Sequence, residues 1–201
     1  MALIAYTLFL VLGVGMRVLL HHRRTGDSGV RVSNATARPA ARLSNVLLIV
    51  AFLGTFGLAA WDTFGGLPQA WSPGRLGLLV GSALCVLGIA GTILSQHQMG
   101  AAWRLGVDET ERTDLVIHGL YAYSRNPIYF AIMVFGLGLG LLVPHPWMVL
   151  FLLIGYLAIE VHVRKVEEPH LLQLHGEEFE RYRRRVNRYV PIAPGPSSRR
   201  R

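Results

Sequence analysis

The sequence predicts an all-α, polytopic integral membrane protein with about five transmembrane helices and a cytoplasmic helical C-terminal segment. Three observations predict it. Half of the 201 residues are apolar (52%), and only 16% are charged, against about 25% in soluble domains. The deficit is concentrated in five long apolar runs almost free of charge. The basic residues, 20 against 12 acidic ones, flank those runs. A pI near 10.4 would suit a nucleic-acid binder, but such proteins gather their charge on one face between stacking aromatics. Cys85 is the single cysteine and lies inside an apolar run, so it reads as packing and no intrachain disulfide can form.

A helix needs about 20 apolar residues to cross the hydrocarbon core. The first span is Ala2–Leu20. It has no basic stretch ahead of it and no small-residue cleavage site before Arg17 and His21, so it is expected to be a retained span rather than a signal peptide. The next are Leu43–Trp61, Leu76–Leu94, Ile128–Val143 and Trp147–Val163. The last two are shorter and are separated only by Pro144-His145-Pro146, which breaks the helix and turns the chain back as a hairpin. The segment from Glu167 to Val190 suits a helix, with Pro169 in its first turn. Residues 192–201, ending in Arg199-Arg200-Arg201, read as a disordered basic tail. The chain thus divides into three spans over 1–95, a core over 96–191 that includes the 128–163 hairpin, and that tail.

Arg and Lys counts predict the orientation. Six lie between Arg17 and Arg42, only Arg75 in the second link, and Arg104, Arg112 and Arg125 in the third. None lies in the hairpin turn, and ten lie from Arg164 onward. With five spans, 19 fall on one side and one on the other. The positive-inside rule then puts the N-terminus outside and the C-terminus in the cytoplasm.

Ionisable groups near the bilayer are functional candidates. The cytoplasmic ends of spans three to five gather Gln96, His97, Gln98, Arg125, Asn126, Glu160, His162, Arg164, Glu167 and Glu168. Within and beyond them runs a series of ordered elements: Leu115-Val116-Ile117-His118-Gly119-Leu120-Tyr121, Arg125-Asn126-Pro127-Ile128-Tyr129, Arg164-Lys165-Val166-Glu167-Glu168, Gly176-Glu-Glu-Phe-Glu-Arg-Tyr182 and Val186-Asn-Arg-Tyr-Val-Pro191. This series resembles the isoprenylcysteine carboxyl methyltransferase and phospholipid methyltransferase group. That group carries Gly-x-Tyr, Arg-His-Pro-x-Tyr, a transmembrane hairpin, a Glu-Glu pair and a Gly-x-x-(Phe/Tyr)-x-x-Tyr helix. Met99-Gly100-Ala-Ala-Trp103-Arg104 is similar to a segment common in bacterial members. The resemblance covers about Gln96–Pro191.

The resemblance implies a membrane-embedded methyltransferase using S-adenosylmethionine, with a lipid or isoprenoid-type acceptor drawn from the bilayer, and neither metal nor nucleic acid as a partner. By motif position Leu115, Val116 and Tyr121 would line the cofactor pocket, Asn126, Pro127 and Tyr129 would continue it, and Glu167 would close it. Arg164 lies within one residue of the position where the family keeps an arginine near the substrate carboxylate. The departure is Asn126, where many members have His; an amide hydrogen-bonds but does not titrate near neutral pH. A carboxylate acceptor, the favoured one, needs only an Arg to orient it. An amine or thiol needs a base, for which Glu168, His118 and His162 are nearest. Arg164 and Glu168 are the catalytic candidates.

Three other signals mislead. Glu167-x-x-His170 is one di-iron half-motif where two are needed. Gly136-x-Gly138-x-Gly140 follows no strand and reads, with Gly77-x-x-x-Gly81, as close helix contact. The histidines lack zinc spacing. The alternative readings are a reductase using NADPH, since membrane sterol reductases carry a related Arg-His-Pro-Asn-Tyr element, and a non-enzymatic assembly protein.

Overall fold

The computed structural model describes residues 1–26, 39–100 and 114–191. The first membrane helix is built from α1 (Ala2–Leu8), a π-helical segment (Phe9–Gly15) and α2 (Met16–Thr25). Then come α3 (Pro39–Phe64), α4 (Gly74–Met99), a short 3₁₀ turn (Gly119–Ala122), α5 (Pro127–Leu142) and α6 (Pro146–His162). A second π segment (Val163–Glu167) joins α6 to α7 (Glu168–Arg185) without interruption. Among the described residues no sheet forms; extended chain pairs only at a parallel bridge between Ser124 and Asn187.

Among the described residues four helical runs are long and apolar enough to cross a membrane: Ala2–Arg23, Pro39–Phe64, Gly74–Met99 and Pro146–Arg185. The protein is an integral, multi-pass membrane protein. The fifth expected span, α5, has 16 residues, about 24 Å of helix against a hydrocarbon core of about 30 Å. The third helix also runs further than hydropathy suggests, to Met99, so Gln96, His97 and Gln98 belong to it. The basic tail and the Trp103-Arg104 part of the upstream motif lie outside the described residues.

The helices are apolar all round, as lipid-facing helices are, and many of their Leu, Val and Ile side chains point outward. Packing is specified on narrow seams. The hairpin arms scarcely touch each other: α5 packs along α4, and α6 along α3. The α4–α5 seam is tight because small residues line it. A Cβ on Gly88 would sit 2.6 Å from the Phe135 backbone nitrogen and 2.8 Å from the Ala131 carbonyl oxygen, so only glycine permits this backbone contact. Gly81 and Gly138 face each other further along it. Gly88→Val should force the helices apart, and overpacking of this kind costs about 1–3 kcal/mol. A lower melting temperature in detergent is expected, and an unchanged one would show the seam to be looser than drawn.

The first helix is tied in by aromatic and polar contacts. The Tyr6 hydroxyl lies 2.9 Å from Thr55 Oγ1, and its ring meets Phe52, Phe56 and Phe135 edge-on. Phe9 stacks on Phe135 with centroids 4.6 Å apart. Gln96 donates to the Gly13 carbonyl in the first π segment at 2.8 Å. Arg17, buried on α2, donates to the Gly100 carbonyl where α4 ends. The C-terminal ends of α2, α4 and α6 lie at the same end of the bundle as the N-termini of α3 and α5.

Candidate active site

At that end a cleft opens between the end of α4, the segment before α5, and the second π segment with α7. Its walls include Leu115, Val116, Tyr121 and Asn126 on one side and Glu167, Glu168 and Leu171 on the other, under Phe179 and Tyr182. Local chemistry explains each wall. Gly119 takes φ +61, and the Gln98 side chain occupies the place its Cβ would need. That close approach lets the Gln98 amide oxygen accept from the Leu120 N–H at 2.7 Å, pinning the 3₁₀ turn to α4. The turn presents Tyr121, which is buried.

The roof is held by charge. Arg125 donates to the Arg183 and Val186 carbonyls (2.7 and 2.9 Å), the unpaired carbonyl end of α7, where a cation is favoured. The same guanidinium meets Glu168 at 2.8 Å, and Arg188 reaches Glu168 with both nitrogens (2.9 and 2.8 Å). The backbone of 125–126 pairs with Asn187 and Arg188 (2.8 and 3.0 Å), and the Asn126 amide donates to the Arg188 carbonyl at 3.1 Å. Phe179, Tyr182 and Val186 form a small core with Leu115 and Leu171, and the Tyr182 hydroxyl donates to the Tyr121 carbonyl at 2.6 Å. Burial pushes the Tyr182 and Tyr121 phenols up from their ordinary value, so both are neutral.

Glu167 is held from two sides. Its Oε1 accepts from the Tyr129 hydroxyl at 2.6 Å and lies 3.5 Å from His162 Nε2. The π turn creates that second contact. In an α-helix residues five apart point about 140° away from each other; the wider turn, with its i→i+5 bonds, lays them one above the other. Its cause is local: Pro169 lacks an N–H and its ring collides with the Lys165 carbonyl in a regular helix. One extra residue in the preceding turn relieves the clash.

Of the nine residues singled out in the sequence, Leu115, Val116, Tyr121, Asn126, Glu167 and Glu168 surround this one cleft. Tyr129 backs Glu167. Pro127 begins α5 and lines a separate apolar groove between α4 and α5, of about 280 Å³. Arg164 stands half exposed and pairs with Glu160 on its own helix. Sequence reasoning passed over Arg188, Phe179 and Tyr182 as site residues. All three lay within the Gly176–Tyr182 and Val186–Pro191 elements without being singled out; the neighbouring Glu177–Arg181 pair is solvated.

Fold and site together define a multi-pass helical membrane protein with one acidic, aromatic cleft at the ends of its helices. Residues 76–178 match the model of the phospholipid methyltransferase family, and the chain belongs to that family. It is similar to the phosphatidylethanolamine N-methyltransferase of Schizosaccharomyces pombe, 28% identical over 139 residues, which are 67% of this chain and 15% of that one. It is also similar to the protein-S-isoprenylcysteine O-methyltransferase of Saccharomyces cerevisiae, 27% identical over 121 residues, 59% of this chain and 50% of the relative. The chain thus spans half or less of the length of these relatives. Its fold is that of the eukaryotic intramembrane Ras methyltransferase ICMT (isoprenylcysteine carboxyl methyltransferase), with a TM-score of 0.58 at 20% identity, covering 90% of this chain and 61% of the other.

Proposed function

We propose that the protein is an S-adenosylmethionine-dependent methyltransferase acting on a lipid-like acceptor, with the cleft and the C-terminus on the cytoplasmic side and the N-terminus outside. The observation that carries this reading is the lining of the cleft. A methyl donor of this kind supplies a methyl group on a cationic sulfur, beside an amino group, a ribose and an adenine. Acidic and aromatic walls suit it: Glu167 would hold an amino or hydroxyl group, and the Tyr121 and Tyr182 rings would flank the cation, contacts worth about 1 kcal/mol or more when desolvated. The Tyr121 hydroxyl supports the fit, since it is buried and has no partner among the described residues. Leu115, Val116 and Leu171 would cover the base. The cavity now measures about 70 Å³, below the ~300 Å³ at which small-molecule pockets begin. Admission of a nucleoside therefore requires the cleft to widen.

A carboxylate acceptor, which the sequence favours, requires Arg164 to turn from Glu160 toward the cleft. Methyl transfer here depends mainly on positioning, and the acceptor's apolar part can stay in the bilayer while its head reaches the rim. Calorimetric titration of the purified protein with S-adenosylmethionine, S-adenosylhomocysteine and NADPH tests the reading. Saturable binding of the first two is expected. Binding of NADPH alone would make the protein a reductase, and silence from all three in a folded sample would leave an assembly role.

A further inference from the structure

The family match covers residues 76–178, so α3 (Pro39–Phe64) lies outside it. Yet α3 has a line of polar contact to the cleft. Ser44, fully buried on α3, has its Oγ 3.0 Å from His162 Nδ1 at the end of α6. His162, also buried, turns its Nε2 to Glu167 Oε1 at 3.5 Å. The carboxylate only accepts, so Nε2 carries a hydrogen toward it. In a neutral ring Nδ1 is then an acceptor, and the Ser44 hydroxyl donates to it. In a charged ring Nδ1–H donates to Ser44 Oγ, and the hydroxyl hydrogen turns to the Ala41 carbonyl, 3.0 Å away. Both states fix the ring plane and aim Nε2–H at Glu167.

Glu167 is engaged unevenly. The Tyr129 hydroxyl (2.6 Å) and His162 both address Oε1. Among the described residues Oε2 makes no hydrogen bond or ion pair, and Glu167 lines the cleft. One oxygen is anchored, and the other is left to accept from a bound molecule.

A hydroxyl inside an apolar membrane helix has simpler uses. It can bond back to its own helix, as Thr63 does to the Ala59 carbonyl at 2.8 Å, or join two helices, as Thr55 does with Tyr6. Ser44 differs in what lies beyond its partner. Tyr6 leads on to the rings of Phe52, Phe56 and Phe135, whereas His162 leads on to the carboxylate of the cleft. The α3–α6 seam is also close. A Cβ on Gly155 of α6 would lie 3.3 Å from the Ala51 Cβ of α3, so the two backbones approach as small residues allow. The Ser44 hydroxyl is thereby a fixed reference for the imidazole.

Resting on the methyltransferase reading, we infer that Ser44 is a positioning residue of the cofactor site. It orients His162, and His162 holds Glu167 by Oε1 so that Oε2 stays free for the amino or hydroxyl group of the methyl donor. α3 is then part of the active site and not only packing around it. The gain is preorganisation: a carboxylate already locked by its neighbours loses less freedom on binding.

The test measures S-adenosylhomocysteine affinity by calorimetry on the full chain in detergent, beside a thermal melt. Ser44→Ala should weaken affinity about five- to tenfold, as the loss of one hydrogen bond does. Thr55→Val removes another buried hydroxyl through which α3 meets a neighbouring helix. It should lower the melting temperature comparably yet leave affinity within about twofold of wild type, since it lies on no path to Glu167. In a His162→Gln background no ring remains to orient, so adding Ser44→Ala should cost less than about twofold, because losses acting through one group do not multiply. Unchanged affinity in Ser44→Ala, an equal loss in Thr55→Val, or a Ser44→Ala loss of full size in the His162→Gln background would each overturn the inference while leaving the methyltransferase standing. Absence of S-adenosylhomocysteine binding by the wild-type protein would overturn both.

Discussion

Glu167→Ala should abolish measurable binding of S-adenosylhomocysteine. The carboxylate lines the cleft, and the Tyr129 hydroxyl (2.6 Å) and His162 fix its position. A hydrogen bond to a charged group contributes about 1.5–3 kcal/mol, so losing two to the cofactor lowers affinity about 100-fold or more. The alanine variant also strands Tyr129 and His162 among buried neighbours, a cost of about 1–3 kcal/mol in stability. Glu167→Gln separates the two effects. Its amide oxygen still accepts from Tyr129, so its melting temperature should approach that of wild type, while loss of charge keeps binding weak. Calorimetry beside a thermal melt reads both quantities. Wild-type affinity in either variant would remove Glu167 from the cofactor site.

Glu168→Gln should weaken the docking of α7 more than any other single change at the rim. Glu168 and Arg125 are 12% and 10% exposed at the side chain, and Arg188 is 24% exposed. Removing one member of a buried ion pair costs about 3–5 kcal/mol, because the partner charge stays buried without compensation. Here two guanidiniums lose their shared anion. A loss near 3 kcal/mol is expected, since Arg125 keeps its bonds to the Arg183 and Val186 carbonyls. The pH dependence follows. Burial works against the Glu168 charge, but Arg188 and Arg125 outweigh it and hold the carboxyl below its ordinary value of 4.5. A depressed folded value means the stabilisation is complete above that ordinary value and disappears as pH falls through the lower one. Acid should therefore unfold wild type in a step that the glutamine variant lacks, read by melting temperature and by proteolysis at α7. Equal acid sensitivity would show that the triad carries no such load.

Much of this was legible in the chain. Apolar run lengths located the long apolar helices to within about five residues, because partition into lipid depends on composition summed along a segment. Short-range motifs located Leu115, Val116, Tyr121, Asn126 and Glu167 around one cleft, because each belongs to a local turn or helix start whose geometry neighbouring residues dictate. The helix ends were less legible. Gln96, His97 and Gln98 are polar and so read as a link, yet α4 continues through them because Gln96 finds the Gly13 carbonyl and Gln98 the Leu120 N–H.

Other features had no local signature. That α5 leaves its hairpin partner for α4, and α6 for α3, is decided by which helix offers a backbone surface bare of side chains, such as the one at Gly88. That Glu168 is bound by two arginines depends on Arg125 and Arg188, 43 and 20 positions away, meeting over it. The contact between His162 and Ser44 is the clearest case. They stand 118 positions apart, and His162 and Glu167 would diverge on a regular helix. Hydropathy needs only the sum of residues along a segment, so the sequence alone decides that this protein lives in a membrane. Which polar groups meet depends on helix register to within one residue, and only the packed structure, with its π turn ahead of Pro169, decides that.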